Sequence, residues 1–179
     1  TPHDLKRAEI LAGFLLDAQR GDGSVIQAYQ ASSVGVPADG GGCFRAAITG
    51  DQGWVMLAWG HLYERLLQVD PSNPLATRLF NGLLNIAGFA ETRRRIDGQY
   101  PGYSFYEGTG TLPCGSPNVD WDGVRSTEQN IDLAVAFDLV HRVTGDTRWR
   151  DSADFARNFV RLMLADDRTK FWTGTATPD

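Results

Sequence analysis

Arg125-Ser-Thr-Glu-Gln-Asn-Ile-Asp-Leu-Ala-Val-Ala-Phe-Asp-Leu-Val-His-Arg-Val-Thr-Gly-Asp146 is the stretch from which the rest of the chain can be read. Ser126 followed by Gln129 has the spacing of a capping box, in which the hydroxyl satisfies a first-turn amide and the Gln side chain reaches back to the cap. Ile131, Val135, Leu139 and Val143 recur every four residues, Ala134 and Phe137 widen the stripe, and Gly145 suits a left-handed C-terminal cap. The stretch predicts a helix of about five turns. Glu128 and Asp132 stand one turn apart near its start, where the helix dipole favours an ionised carboxylate.

A similar phrase occurs earlier. Thr49-Gly50-Asp51-Gln52 repeats the cap spacing ahead of Trp54, Val55, Ala58, Leu62 and Leu66, and places Asp51 in register with Glu128 at an offset of 77 (128 − 51). Leu11-Ala12-Gly13-Phe14 is answered by Ile86-Ala87-Gly88-Phe89, and Asp22-Gly23-Ser24-Val25 by Asp97-Gly98-Gln99-Tyr100, both at an offset of 75 (86 − 11, 97 − 22). A third copy starts at Ala153-Asp154 and ends in Lys170-Phe171-Trp172. Offsets of this kind mark an internally repeated array.

Between these anchors the chain reads as helices over about 3–20, 51–69, 74–90 and 150–163, besides the one quoted. Asp70-Pro71-Ser72-Asn73 and Gly145 to Trp149 are short enough to force antiparallel neighbours. The connectors 21–50 and 91–125 are long and rich in Gly, Pro and aromatic residues, and loops of that length are usually functional or disordered. In an up-down array the long connectors share one end with the starts of the second and fourth helices. That end gathers Asp51, Glu128, Asp132 and the Phe171-Trp172 segment.

Composition narrows the function classes. The 179 residues are 42% hydrophobic and 22% charged, with no run of roughly 18 apolar residues, so no membrane span is expected. A net charge of −5, with only Arg93-Arg94-Arg95 as a basic cluster, argues against a nucleic-acid partner. Cys43 and Cys114 lack the spacing and nearby His of a metal site, and no cofactor motif is present, so neither metal nor cofactor is expected. Both cysteines fall in long loops ahead of the second and fourth helices. They are placed on one end, where a disulfide is open to them if the protein is exported to a secreted or periplasmic setting. The chain opens Thr-Pro-His-Asp, which reads as a processed chain or a piece of something longer.

Helix pairs of this length, Gly50-Asp-Gln-Gly-Trp-Val-Met-Leu-Ala58, Ser126-Thr-Glu-Gln-Asn-Ile-Asp132 and Thr144-Gly-Asp146 resemble the six-hairpin glycosidase superfamily. That resemblance implies an all-α fold in which antiparallel helical hairpins form part of an (α/α)6 toroid. Residues 1–179 would be one partial toroid domain of about two and a half hairpins, with the missing repeats supplied by the same chain. It also implies a glycan cleft where the long loops and the inner-helix starts meet.

The expected chemistry is acid/base hydrolysis of a glycosidic bond in an oligo- or polysaccharide. Asp51 or Glu128, in first turns, suits the base or nucleophile, and Asp122, beside Trp121, the acid; Asp120 and Glu107 are the other loop acids. Asp132, Tyr100, Tyr103, Tyr106, Trp121 and Trp172 are the expected substrate contacts, since aromatic faces suit the CH face of a sugar. Trp54 and Trp59 read as core, and His61 and His141 as structural. Acidic residues in a first turn, and rings that merely pin loops, explain the same pattern without chemistry. A sugar epimerase or polysaccharide lyase, with Tyr or His moving the proton, and a non-catalytic carbohydrate-binding or structural fragment remain open.

Overall fold

The computed structural model describes residues 2–30, 46–106 and 123–175. They hold the helices α1 (Pro2–Ala18), α2 (Thr49–Val69), α3 (Pro74–Glu91), α4 (Thr127–Thr144) and α5 (Thr147–Leu162). The two-residue strands β1 (Arg94–Arg95), β2 (Gly102–Tyr103), β3 (Arg125–Ser126) and β4 (Gly174–Thr175) pair antiparallel, β1 with β2 and β3 with β4. The fold is all-α: α2 and α3 form one hairpin, α4 and α5 the next, and α2 and α4 lie side by side. Cys43, Glu107, Cys114, Asp120, Trp121 and Asp122 lie outside the described residues.

The hairpin turns follow from capping. The Asn73 side chain accepts the Leu75 N–H with Pro74 in the first turn of α3, and the Asp146 side chain accepts the Arg148 N–H at the start of α5. Gly145, at φ 72°, closes α4 in the left-handed conformation, its N–H bonded to His141 O at 2.7 Å.

The two cap readings need correction. Ser126 does accept the Gln129 N–H, at 3.4 Å, but Gln129 Oε1 is buried without a partner, so the reciprocal half of the box is not made. At α2 the N-cap is Ile48, with no side-chain cap, and Thr49 is already helical. The Thr49 N–H is taken by Phe105 O at 3.0 Å, so the loop following α3 does the work expected of a hydroxyl. The equivalent bond at α4 runs from Thr127 N–H to Thr173 O at 2.9 Å. These bonds place described parts of the long connectors and the starts of α2 and α4 on one end.

The register also shifts by one. Gln52 of α2 exchanges hydrogen bonds with the Val25 peptide, and Asn130 of α4 does the same with Tyr103. The structural offset is therefore 78 (130 − 52), which sets Asp51 against Gln129 and not Glu128. Val25 corresponds to Tyr103 rather than Tyr100. Gly23 and Gly98 still occupy matching turns with φ of 90° and 75°, and three extra residues follow the second.

One core joins the hairpins: Met56, Trp59 and Leu66 of α2, Leu79, Leu83 and Ile86 of α3, Leu133 and Phe137 of α4, Trp149, Ala153 and Ala156 of α5, and Tyr103. Phe137 stacks on Trp149 at 5.7 Å and lies 5.4 Å from the Tyr103 ring. Each such ring contributes about 1.5–3 kcal/mol by burial. The stripe read for α4 is partly on the wrong side, because Ile131 and Val135 are 45% and 53% exposed while Leu133, Ala134, Phe137 and Val140 are buried. The reason is that α4 is apolar on two faces, and periodicity alone does not say which of them a neighbour covers.

Candidate functional site

The start of α4 and the segment before β4 enclose a cleft of about 400 Å³ lined by Ser126, Thr127, Glu128, Ile131, Asp132, Phe171, Trp172 and Thr173. Its wall is held by the Thr127 hydroxyl, which donates to Trp172 O at 2.6 Å, by the Thr127 N–H on Thr173 O at 2.9 Å, and by the pairing of β3 with β4 at Ser126 and Gly174. Gly174, at φ 150°, leaves no room for a side chain, since a Cβ there meets the Arg125 carbonyl. Arg125, 3% exposed, anchors the far side through Gly123 O at 3.0 Å and Asp97 O at 3.2 Å. Sequence reading missed this buried cation, whose only signal is an Arg just ahead of a helix cap.

Glu128 is exposed at the rim. Asp132 is one turn further in, and its carboxyl is held above the usual range by burial and by the neighbouring Glu128 charge. The Trp54 side chain, from α2, acts in the opposite sense and offsets part of that rise. Trp54 is 60% exposed, so its reading as a core residue is corrected; Trp59, 1% exposed, is core. A tryptophan reaching from α2 to a carboxylate on α4 has no signature in either helix alone.

Trp172 lines the cleft, 56% exposed, with Lys170 Nζ 4.9 Å from its ring centre. Tyr103, expected as a substrate contact, is instead buried to 1% with its hydroxyl 2.6 Å from a Glu91 oxygen. Burial and Glu91 push its pKa well above the ordinary phenol range, so it stays protonated in the core. Tyr106 packs against Ala46 and Ile48, and Tyr100 is half-buried outside the cleft lining.

Asp51 lines a second hollow of about 530 Å³ with Phe14, Val25, Tyr29 and Trp54. The structure thus brings Glu128, Asp132 and Trp172 together and sets Asp51 in the neighbouring hollow, with Trp54 between. Asp51 Oδ2 is buried without a partner, and burial raises the pKa of the group, opposite to the lowering expected from its first-turn position. Desolvation outweighs the helix dipole here because the apolar rings of Phe14 and Trp54 share the hollow. His61 pairs with Glu64 on the surface, and His141 bonds Asp146 O at the opposite end of α4.

Among the described residues no three or more His, Cys, Asp or Glu side chains are grouped to hold a metal ion, and no helix is long and apolar enough to cross a membrane. No family model matches the chain. No curated protein matches it either. Among solved structures it is similar to the crystal structure of a sugar epimerase from a ruminal bacterium, with a TM-score of 0.69 and 12% identity over 100% of this chain and 42% of that one. At that identity the likeness is one of fold alone. The chain spans less than half the length of that neighbour.

Proposed function

We propose that the Glu128–Asp132 cleft binds a saccharide and hydrolyses a glycosidic bond by acid/base chemistry. The observation that carries this reading is the pairing of two carboxyls with unlike surroundings, one exposed and one raised, beside the open ring of Trp172. Glycoside hydrolysis needs one carboxyl that protonates the leaving oxygen and one carboxylate that activates water or attacks the sugar. Asp132, whose pKa is raised by burial and by Glu128, takes the first role, and Glu128, in the first turn of α4, takes the second. Trp172 and Trp54 offer apolar faces to the sugar rings. Asp51 serves the adjoining hollow. An oligo- or polysaccharide fits an open cleft continued by a second hollow better than a single sugar does.

The structural likeness to a sugar epimerase favours a second reading, epimerisation on the same fold. It requires a base that removes a proton from carbon, and neither His61 nor His141 stands at this end of the molecule. Product analysis after incubating the complete protein with oligosaccharides separates the two. New reducing ends support hydrolysis; an altered sugar at unchanged chain length supports epimerisation. Turnover unchanged in both Glu128→Gln and Asp132→Asn overturns the assignment of the cleft.

A further inference from the structure

The hollow around Asp51 is built differently from the cleft beside it. The cleft offers hydroxyls and carboxyls, from Ser126, Thr127, Glu128, Asp132 and Thr173. The hollow, of about 530 Å³, is walled by apolar side chains and by the rings of Phe14, Tyr29 and Trp54, and Asp51 is its one charged group among the described residues. Phe14 and Tyr29 meet edge to face at 5.8 Å.

The wall is fixed from two sides. Gln52, next to Asp51, clamps the Val25 peptide, accepting its N–H at 2.9 Å and donating to its carbonyl at 3.0 Å, as Asn130 clamps Tyr103. A carboxamide suits this task because it presents a donor and an acceptor side by side. The Tyr29 hydroxyl accepts the Ile26 N–H at 2.9 Å and donates to Ala18 O at 3.4 Å. That hydroxyl is spent on holding the loop, and the ring is what remains for a ligand.

Asp51 stands in this hollow without a counter-charge. Its Oδ2 is buried and unpartnered, and burial alone acts on its pKa, so no described cationic side chain is close enough to lower it. Arg20 acts on the Tyr29 hydroxyl and lies 3.8 Å from Asp22, and Lys170 stands over the Trp172 ring. The charged groups lining the adjoining cleft, Glu128 and Asp132, are both acidic. A carboxylate that has lost water and gained no donor is costly, and a ligand bringing both a positive charge and an N–H removes that cost. The rings favour the same partner, since an aromatic face attracts a cation and an indole does so best. An ammonium group supplies three donors and asks for no acceptor to be satisfied in return. A sugar hydroxyl brings a donor without the charge, and an acidic sugar meets carboxylates only.

We propose that the Asp51 hollow seats a primary ammonium group carried by the saccharide, so that the substrate class is an oligosaccharide with free amino groups. One amino sugar unit lies in the hollow while its neighbour occupies the Glu128–Asp132 cleft; the inference rests on the saccharide reading of that cleft. Asp51 takes the ammonium, and Trp54, 60% exposed and acting also on Asp132, borders both units. Acylation of the amine abolishes the charge and with it the recognition.

The test uses the complete protein with glucosamine and glucose, titrated at a pH between the pKa values of Asp51 and of the amine. The Asp51 carboxyl-carbon and Trp54 indole N–H signals report the site. Glucosamine should shift both signals and bind about 10-fold or more tighter than glucose, and N-acetylglucosamine should behave like glucose. Asp51→Asn should erase the preference, and Phe14→Leu, which keeps the carboxyl, should reduce it. Equal affinities in the parent, a preference kept in Asp51→Asn, or glucosamine shifts confined to Glu128 and Asp132 overturn the proposal. Turnover keeps this inference apart from the hydrolysis it builds on. Glucosamine oligomers that bind at Asp51 without being cleaved uphold the ammonium site and sink the hydrolysis. Neutral oligosaccharides cleaved with a kcat/KM equal to that of the aminated ones uphold the hydrolysis and sink the ammonium site.

Discussion

The side chain of Trp54, on α2, acts on the carboxyl of Asp132, on α4, in the direction that favours its charged form. It opposes the rise in Asp132 pKa caused by burial and by Glu128. Trp54→Phe removes the polar group that favours the charged form, so the Asp132 pKa should rise further. Carboxyl-carbon NMR titration of the folded protein checks the direction. A fall, or no change, would show that Trp54 does not act on Asp132 in solution.

Glu128→Gln should move Asp132 the other way, because a like charge one turn away is removed. In the proposed hydrolysis the same substitution should lower turnover by two orders of magnitude or more, the usual scale of an acid/base group. Rate against pH for the parent should fall as pH rises through the native Asp132 pKa, since the protonated form is the donor. In the variant that descending limb should shift to lower pH.

Asp132 also makes a stability prediction of definite sign. Its native pKa lies above the ordinary value of 3.8, so its contribution is fully present below that value and is lost as pH rises through the native pKa. Asp132→Asn should therefore be relatively more stable at neutral pH than in acid. Urea midpoints for both proteins on either side of that window measure the difference. Parallel pH curves for the two would contradict the shift.

Tyr103→Phe should cost about 1–2 kcal/mol through loss of the hydroxyl bond to Glu91, while leaving turnover near the parent value. Thermal unfolding reads the first and saccharide assays the second. A large loss of rate with little loss of stability would return Tyr103 to the proton-transfer role that its buried position argues against.

Gly60→Ala tests the seat of α4 on α2. The added Cβ would come within 2.6 Å of Leu139 Cδ2, and Leu139 is 2% exposed with little room to retreat. The cost of overpacking should outweigh Ala's helix preference and lower stability by about 1–3 kcal/mol. Gly13→Ala, with nothing within 4 Å of the added atom, should be stabilising by comparison.

Helix identity, hairpin pairing and the shared end of the long connectors were legible in the sequence, because apolar period, caps such as Asn73 and Asp146, and short connectors are local properties. The repeat was legible too, though one residue out of register, since Thr49 and Ser126 look like equivalent caps until Phe105 O is seen to occupy the first. Tertiary structure alone decided which face of α4 is buried, that Tyr103 belongs to the core, and that Trp54 does not. It also reversed the direction for Asp51. A first-turn carboxylate is stabilised by a dipole that sequence can locate, but the desolvation that overrides it comes from burial in a hollow that Asp51 shares with Phe14 of another helix. The carboxamide clamps are hidden for the same reason: Gln52 and Asn130 become hydrogen-bond partners of Val25 and Tyr103 only when residues 27 positions apart are brought into contact.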